Sequence, residues 1–381
     1  MITNRKNINF SEEYLISQHI NPADCIFFDI ETTGFRAGTS HLYLIGAAVR
    51  TSSMPKLHTN TSADATAVIG ESWTILQWMA EQPQEETQLL RTFTQFMKSY
   101  HTVLHFNGDR FDIPYMNEKY TQYQLPSPFA DRQSVDLYHL FRPLKPLLKL
   151  DHMKQKSLEV FLGQNRDDQY DGGKLIPVYR SFCKDGSPHS CSLLLLHNQE
   201  DVSGMFSLTS IFSYLNLFQG NYSFQSAQIL SSQDGHRELL ITLDLPLPVP
   251  VPVSHMLDFG YFTLRDQCGK LLIPILEDNL YYFFPDYKNY YYLPAEDQAI
   301  HKSIASYVDR QHRTAARAET CYIRKNGPFL PQPGEQNTPA FRRSYKDDLR
   351  WFSLTDEFLH SREQLEAYAR LLISHIACQD I

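Results

Sequence analysis

Phe27-Phe28-Asp29-Ile30-Glu31-Thr32-Thr33-Gly34 sets two acids, two residues apart, at the end of an apolar run that closes on a glycine. Successive side chains on a strand point to opposite faces, so Asp29 and Glu31 share one face. Two carboxylates are costly there for a core and well suited to a hard divalent cation, which prefers oxygen ligands on a rigid element. A solvent-facing acidic strand end has the same local pattern, so the choice falls to the rest of the chain.

Around this run the sequence reads as α/β. A short lead-in helix is expected within residues 11–20. Strands are expected at Cys25–Ile30, Leu42–Val49 and Trp73–Met79, each bounded by Gly- or Ser/Thr-rich turns. Leu89, Leu90, Phe93, Phe96 and Met97 have the spacing of an amphipathic helix over Glu85–Tyr100. Val103–Phe106 reads as a strand, Ile113–Tyr120 as a helix and Ser134–Leu137 as a strand. From Tyr138 to Phe218 the pattern is mostly helical, with a turn at Asp171-Gly172-Gly173.

Two further acidic stretches lie in this order. Asn107-Gly108-Asp109-Arg110-Phe111-Asp112 joins a strand to a helix, where Asp112 is either a helix cap or a ligand. His197-Asn198-Gln199-Glu200-Asp201 sits in a helical pattern, and its spacing of four puts His197 and Asp201 on one face. Asp136, ahead of a helix, reads as an N-cap. Asp109 and Glu200 read as solvated neighbours, and Glu85 and Glu86 as first-turn acids favoured by the helix dipole.

In this order and context the segment Cys25–Phe218 resembles the DEDD 3′–5′ exonucleases, which have the ribonuclease H-like fold. D-I-E-T-T-G, F-N-G-D-R-F-D and H-N-Q-E-D look like their three motifs, and Ser157–Tyr179 is similar to the YprB-type branch. The resemblance implies Asp29, Glu31, Asp112 and Asp201 as ligands of two Mg²⁺ or Mn²⁺ ions. It implies His197 as general base or water-orienting group, at the spacing where one main subfamily carries tyrosine. It further implies Asn107 and the backbone amides of Thr32 and Thr33 as contacts to a terminal nucleotide. The substrate would be a 3′ end of single-stranded DNA or RNA. The same metal site would also serve an endonuclease, and a relative that only binds nucleic acid or docks on a protein is the other class.

Composition agrees with a packed protein: of 381 residues, 42% are hydrophobic and 13% aromatic, enough for two domains. No apolar run reaches the ~18 residues of a membrane span, and Leu239–Val253 is broken by Asp244 and four prolines. The N-terminal residues do not read as a signal peptide. Six scattered cysteines include no C-x-x-C pair, which fits reduced thiols in a cytoplasmic protein. Net charge is −8, yet residues 301–350 carry ten Lys/Arg against five Asp/Glu. An acidic body with a basic segment suits a metal-dependent enzyme acting on a polyanion. Arg313, Arg317, Arg342 and Arg343 are therefore candidates for phosphate contacts, and the Tyr281–Tyr292 patch for base stacking or, more simply, core.

The expected layout is a lead-in at 1–21, a ribonuclease H-like mixed sheet flanked by helices at 22–218, a linker at 219–236 and a C-terminal α+β domain at 237–381. Within the last, Ala295–Arg317 and Ser361–Ala377 are expected to be helical and residues 326–340 a loop.

Overall fold

The Asp29 strand lies inside a six-stranded mixed sheet. The computed structural model describes residues 1–54, 71–167, 170, 172–231 and 235–378, and the turn expected at Asp171 falls outside them. The chain forms two units, Met1–Asn216 with Pro246–Val251, and Leu217–Leu245 with Pro252–Ile381.

The first unit begins with β1 (Ile2–Phe10) and α1 (Glu13–Ser17). It continues with β2 (Cys25–Thr32), β3 (Leu42–Arg50), β4 (Glu71–Met79), α2 (Glu86–Met97), β5 (Thr102–His105), α3 (Asp112–Gln122) and β6 (Gln133–Asp136). Helices α4 (Leu137–Phe141), α5 (Lys145–Leu148), α6 (Gln155–Phe161), α7 (Gly172–Asp185), α8 (Pro188–Leu208) and α9 (Phe212–Phe218) follow. Strand order is β1-β4-β3-β2-β5-β6. Strands β1 to β4 pair antiparallel, whereas β5 and β6 run parallel to β2, so the sheet is mixed. This is the ribonuclease H-like arrangement of sheet and flanking helices.

Alternation along β2 explains its burial. Ile26, Phe28 and Ile30 enter a core with Leu89, Phe93 and Met116 of α2 and α3. Phe27 points the other way, with ring centroids 5.7 Å from Trp73 and 4.7 Å from Phe206 of α8. Asp29 and Glu31 continue Phe27's face. Glu86 stands in the first turn of α2 as expected and is fully buried there, accepting from Leu42 N–H at 2.6 Å and pairing with Lys119 Nζ at 2.9 Å.

Residues 2–10, read as part of a lead-in, are an edge strand. Their polar composition hid it, because an edge strand leaves much of its surface to water. The stretch expected to link the domains holds β7 (Ser223–Ser231), an edge strand for the same reason. With β8 (Arg237–Asp244), β9 (Val253–Leu257), β10 (Gly260–Arg265) and β11 (Cys268–Pro274), it forms a sheet ordered β7-β8-β11-β10-β9 in the second unit. Pro246, Pro248 and Pro250, after β8, belong to the first unit, where Tyr14 Oη donates to Pro248 O at 3.0 Å.

The second unit adds β12 (Leu276–Phe283), β13 (Tyr290–Leu293), β14 (Gln298–His301), β15 (Thr314–Ala315), β16 (Tyr322–Gln332) and β17 (Arg350–Ser353), then α10 (Asp356–His360) and α11 (Arg362–Cys378). The expected helix at 295–317 is absent: β14 and β15 both pair with the tyrosine strand β13, and that partner overrides local helical spacing. β16 likewise occupies much of the expected loop at 326–340. α11 matches the expected C-terminal helix.

Candidate active site

Asp29 is half-buried on β2 opposite Gly46 of β3. A Cβ at Gly46 would overlap Asn198 Oδ1 and lie 2.9 Å from Val202 Cγ2, so the missing side chain lets α8 come down onto the sheet. Asn198, fully buried, donates through Nδ2 to Asp29 Oδ2 at 3.0 Å. Its carbonyl accepts from Gln77 Nε2 at 2.9 Å, which fixes the amide with its donor toward Asp29. Gln77 is itself buried and also donates to Leu195 O at 2.8 Å.

One turn of α8 brings the remaining groups. His197 Nε2 lies 3.5 Å from Glu31 Oε1 and 3.3 Å from Asp201 Oδ2. One ligand atom from each of Glu31, His197 and Asp201 lies within 4.8 Å of the others, a spacing able to hold a cation. Asp112 is the first residue of α3 rather than its cap, and it is buried near Asp29, which feels its charge, and Asp201, whose charge acts on it. Glu31, His197 and Asp201 therefore meet beside Asp29 on one face of β2, and Asp112, carried by α3, is close enough for its charge to act on Asp29.

Crowding has an electrostatic cost. Burial holds Asp29 well above the usual carboxylate range, reinforced by the charges of Asp201, Asp112 and Glu31 and opposed by the Asn198 hydrogen bond. Burial likewise pushes Asp112 up to about 7, opposed by its own and Ile30's N–H and reinforced by Asp136 and Asp201. Oxygen donors whose ionisation is suppressed by mutual repulsion are a donor set that a divalent ion fits.

Asp136 caps α4 as expected, accepting from Tyr138 N–H at 3.0 Å, and its carboxylate also takes Asn107 N–H at 2.8 Å. That second bond holds the turn leading to Asp112, where Asn107 adopts a left-handed φ of 63°. His105, Asp109 and Asp136 form a second cluster of ligand atoms within 4.8 Å of one another. Its groups are already engaged, with His105 Nδ1 accepting from Gly108 N–H at 3.0 Å and Nε2 2.7 Å from Ser134 Oγ.

Of the nucleotide contacts inferred from the resemblance, Thr33 is engaged in the turn between β2 and β3: its N–H donates to His41 O at 2.8 Å and its hydroxyl accepts from His41 N–H. Thr32 Oγ1 donates to Gly34 O at 2.9 Å. The four arginines chosen from the basic segment lie in the second unit. Arg313 bonds Ala305 O and covers the Tyr291 ring at 4.8 Å. Arg342 donates to Tyr345 O at 3.0 Å and pairs with Glu335 at 3.3 Å, and Arg343 covers Trp351. Arg317 is exposed. The tyrosine patch packs on its own sheet, with Phe284 stacked on Tyr290 at 4.5 Å.

Sequence reasoning missed Arg166 and Glu159. Arg166 donates from Nη1 to Asp201 Oδ1 and from Nη2 to Glu159 Oε1 at 2.6 Å. Glu159 is buried against Gly204, where a Cβ would collide with its carboxylate. One Asp201 oxygen is thus tied to the guanidinium while the other faces His197.

A family profile described as RNase_H superfamily matches residues 26–213. No curated protein matches the chain. Among 135 matching chains of solved structures is the family B DNA polymerase of the hyperthermophilic archaeon Pyrobaculum calidifontis, at 12% identity and a TM-score of 0.36. That alignment covers 93% of this chain and 46% of the polymerase, so this chain spans about half the length of that one, a likeness too distant to carry an activity across. By sheet topology and by the profile together, the first unit of this chain has the ribonuclease H-like fold.

Proposed function

We propose that this chain is a metal-dependent 3′–5′ exonuclease that hydrolyses phosphodiester bonds of single-stranded DNA or RNA. What supports this is the clustering of Asp29, Glu31, Asp112 and Asp201 closely enough for their charges to act on one another, with His197 between Glu31 and Asp201. Those four carboxylates would hold two Mg²⁺ or Mn²⁺ ions, which when bound supply Lewis acidity at the scissile phosphate and its attacking water.

His197, set between Glu31 and Asp201, accepts the attacking water's proton. The water oxygen bonds to phosphorus, the P–O3′ bond breaks, and the products are a nucleoside 5′-monophosphate and a strand one residue shorter. Asn198 and Gln77 hold Asp29 in its rotamer, and Arg166 does the same for Asp201. Asn107 and Thr32, beside the acids, contact the terminal nucleotide. Preset geometry matters because small displacements of reacting groups are costly in rate.

Direction is tested with a 5′-labelled single strand carrying either a free or a phosphorothioate-blocked 3′ end, and with a circular strand. The proposal expects stepwise shortening of the free end alone. Cleavage of the circle would assign an endonuclease to the same acids.

A further inference from the structure

The phosphate contacts sought in the basic segment have an alternative in the first unit. Phe106, Asn107, Arg110, Tyr138, Lys154 and Gln155 line an open groove of about 470 Å³, within the size range of small-ligand sites. Two of its lining residues, Asn107 and Gln155, adjoin the acidic cluster. Gln155 Nε2 donates to the backbone carbonyl of Asp201 at 2.7 Å, and Asn107 stands on the turn that presents Asp112.

The two cations of this groove differ from the arginines of the second unit. Arg313, Arg342 and Arg343 are each engaged by a ring, a carbonyl or a carboxylate. Arg110 and Lys154 are exposed, and neither side chain has an ion-pair or hydrogen-bond partner among the described residues. The nearby acids are occupied elsewhere: Asp109 accepts from Ser134 Oγ at 2.5 Å, and Glu159 is held by Arg166. Two half-buried rings, Phe106 and Tyr138, edge to face at 5.8 Å, line the same groove as the cations. Free cations beside aromatic faces are the two components of a single-strand track, phosphates on the charges and bases on the rings.

We infer that this groove is the subsite for the single-stranded nucleic acid backbone next to the scissile bond, with Arg110 and Lys154 each gripping one phosphate and Phe106 and Tyr138 stacking a base. The contact reads backbone and ring faces, so it tolerates any sequence. The inference rests on the nuclease reading of the neighbouring acids.

Its test is a binding titration kept apart from cleavage. Fluorescence anisotropy of a labelled twelve-nucleotide single strand is measured with full-length protein in Ca²⁺, across 50–300 mM salt, for wild type, Arg110→Ala/Lys154→Ala and Phe106→Ala/Tyr138→Ala. A phosphate contact to a single strand contributes ~0.7 to the slope of log affinity against log salt. Loss of two contacts should flatten the slope by about 1.4 and weaken binding at least tenfold at 100 mM salt. The ring variant should weaken binding with the slope unchanged, and Arg110→Lys/Lys154→Arg should keep the wild-type slope. Thermal midpoints within 2 °C of wild type identify folded variants, and Arg110→Gln/Lys154→Gln replaces any that melt.

Equal slopes for wild type and the charge variant, or no binding by wild type, would overturn the groove assignment. Failure of wild type to cleave with Mg²⁺ or Mn²⁺ would overturn the nuclease reading, a separate result from the titration.

Discussion

Asn198 Nδ2 reaches Asp29 Oδ2 at 3.0 Å across the interface of α8 and β2, and Gln77 fixes the amide that makes this bond. The helix carrying His197 and Asp201 is thereby registered on the strand carrying Asp29 and Glu31. Asn198→Leu should break that registration and leave one of the two Gln77 amide hydrogens without its acceptor. A buried donor without a partner costs ~1–3 kcal/mol. We expect a stability loss of that size in urea melts and an activity loss of about 10–100-fold, as for other partners of metal ligands.

Gly46 permits the same approach from the strand side. Gly46→Ala places a methyl against Asn198 Oδ1 and Val202 Cγ2, both on a packed helix that cannot retreat independently. Overpacking of this kind costs ~1–3 kcal/mol. A lower urea midpoint together with weakened Mn²⁺ binding is the expected outcome, and an unchanged midpoint would show that α8 can shift.

Arg166 neutralises two acids at once. Arg166→Gln leaves Glu159 buried without its cation, and breaking a buried pair in this way costs ~3–5 kcal/mol. Glu159→Gln added to it should recover part of that stability but not the orientation of Asp201. Urea melts and Mn²⁺ titrations of the single and double variants separate the two effects: stability returns in the double variant, metal affinity does not.

These groups also show how far the sequence could be read. The strands β2 and β3, the helix α2 and the four acids announce themselves through local periodicity and short motifs. Asn198 stands beside His197 in H-N-Q-E-D, but its partner Asp29 is 169 positions away, so no spacing rule reveals the bond. Gly46 inside an apolar strand was the one available sign of a close backbone approach. Edge strands β1 and β7 lack an apolar stripe because water covers much of them, and β14 is a strand only because β13 pairs with it. The basic segment misled for another reason: net charge counts arginines without showing which are already engaged.

On the proposed function, metal and proton would compete for the same acids, which gives a signed pH dependence. Asp29 and Asp112 have folded pKa values above the ~4 of an unfolded Asp, Asp112 at about 7. The folded metal-free protein therefore binds more protons than the unfolded one over this interval, and its stability falls as pH rises from ~4 through ~7. Thermal melts in EDTA should show that decline, and Asp29→Asn should reduce it. Added Mn²⁺ should raise the midpoint more at pH 8 than at pH 5.5, because protons no longer occupy the carboxylates. An equal Mn²⁺ shift at both pH values would place the ion elsewhere.

The most direct measurement is digestion of a 5′-labelled single-stranded DNA and a matched RNA with Mg²⁺, Mn²⁺ or EDTA, with wild type and Asp29→Ala side by side. Four converging carboxylates predict a ladder shortening from the 3′ end with metal, none with EDTA, and a rate at least ~10³-fold lower in Asp29→Ala. Cleavage that persists in EDTA and in Asp29→Ala, or no cleavage of either strand with both metals, would contradict the account.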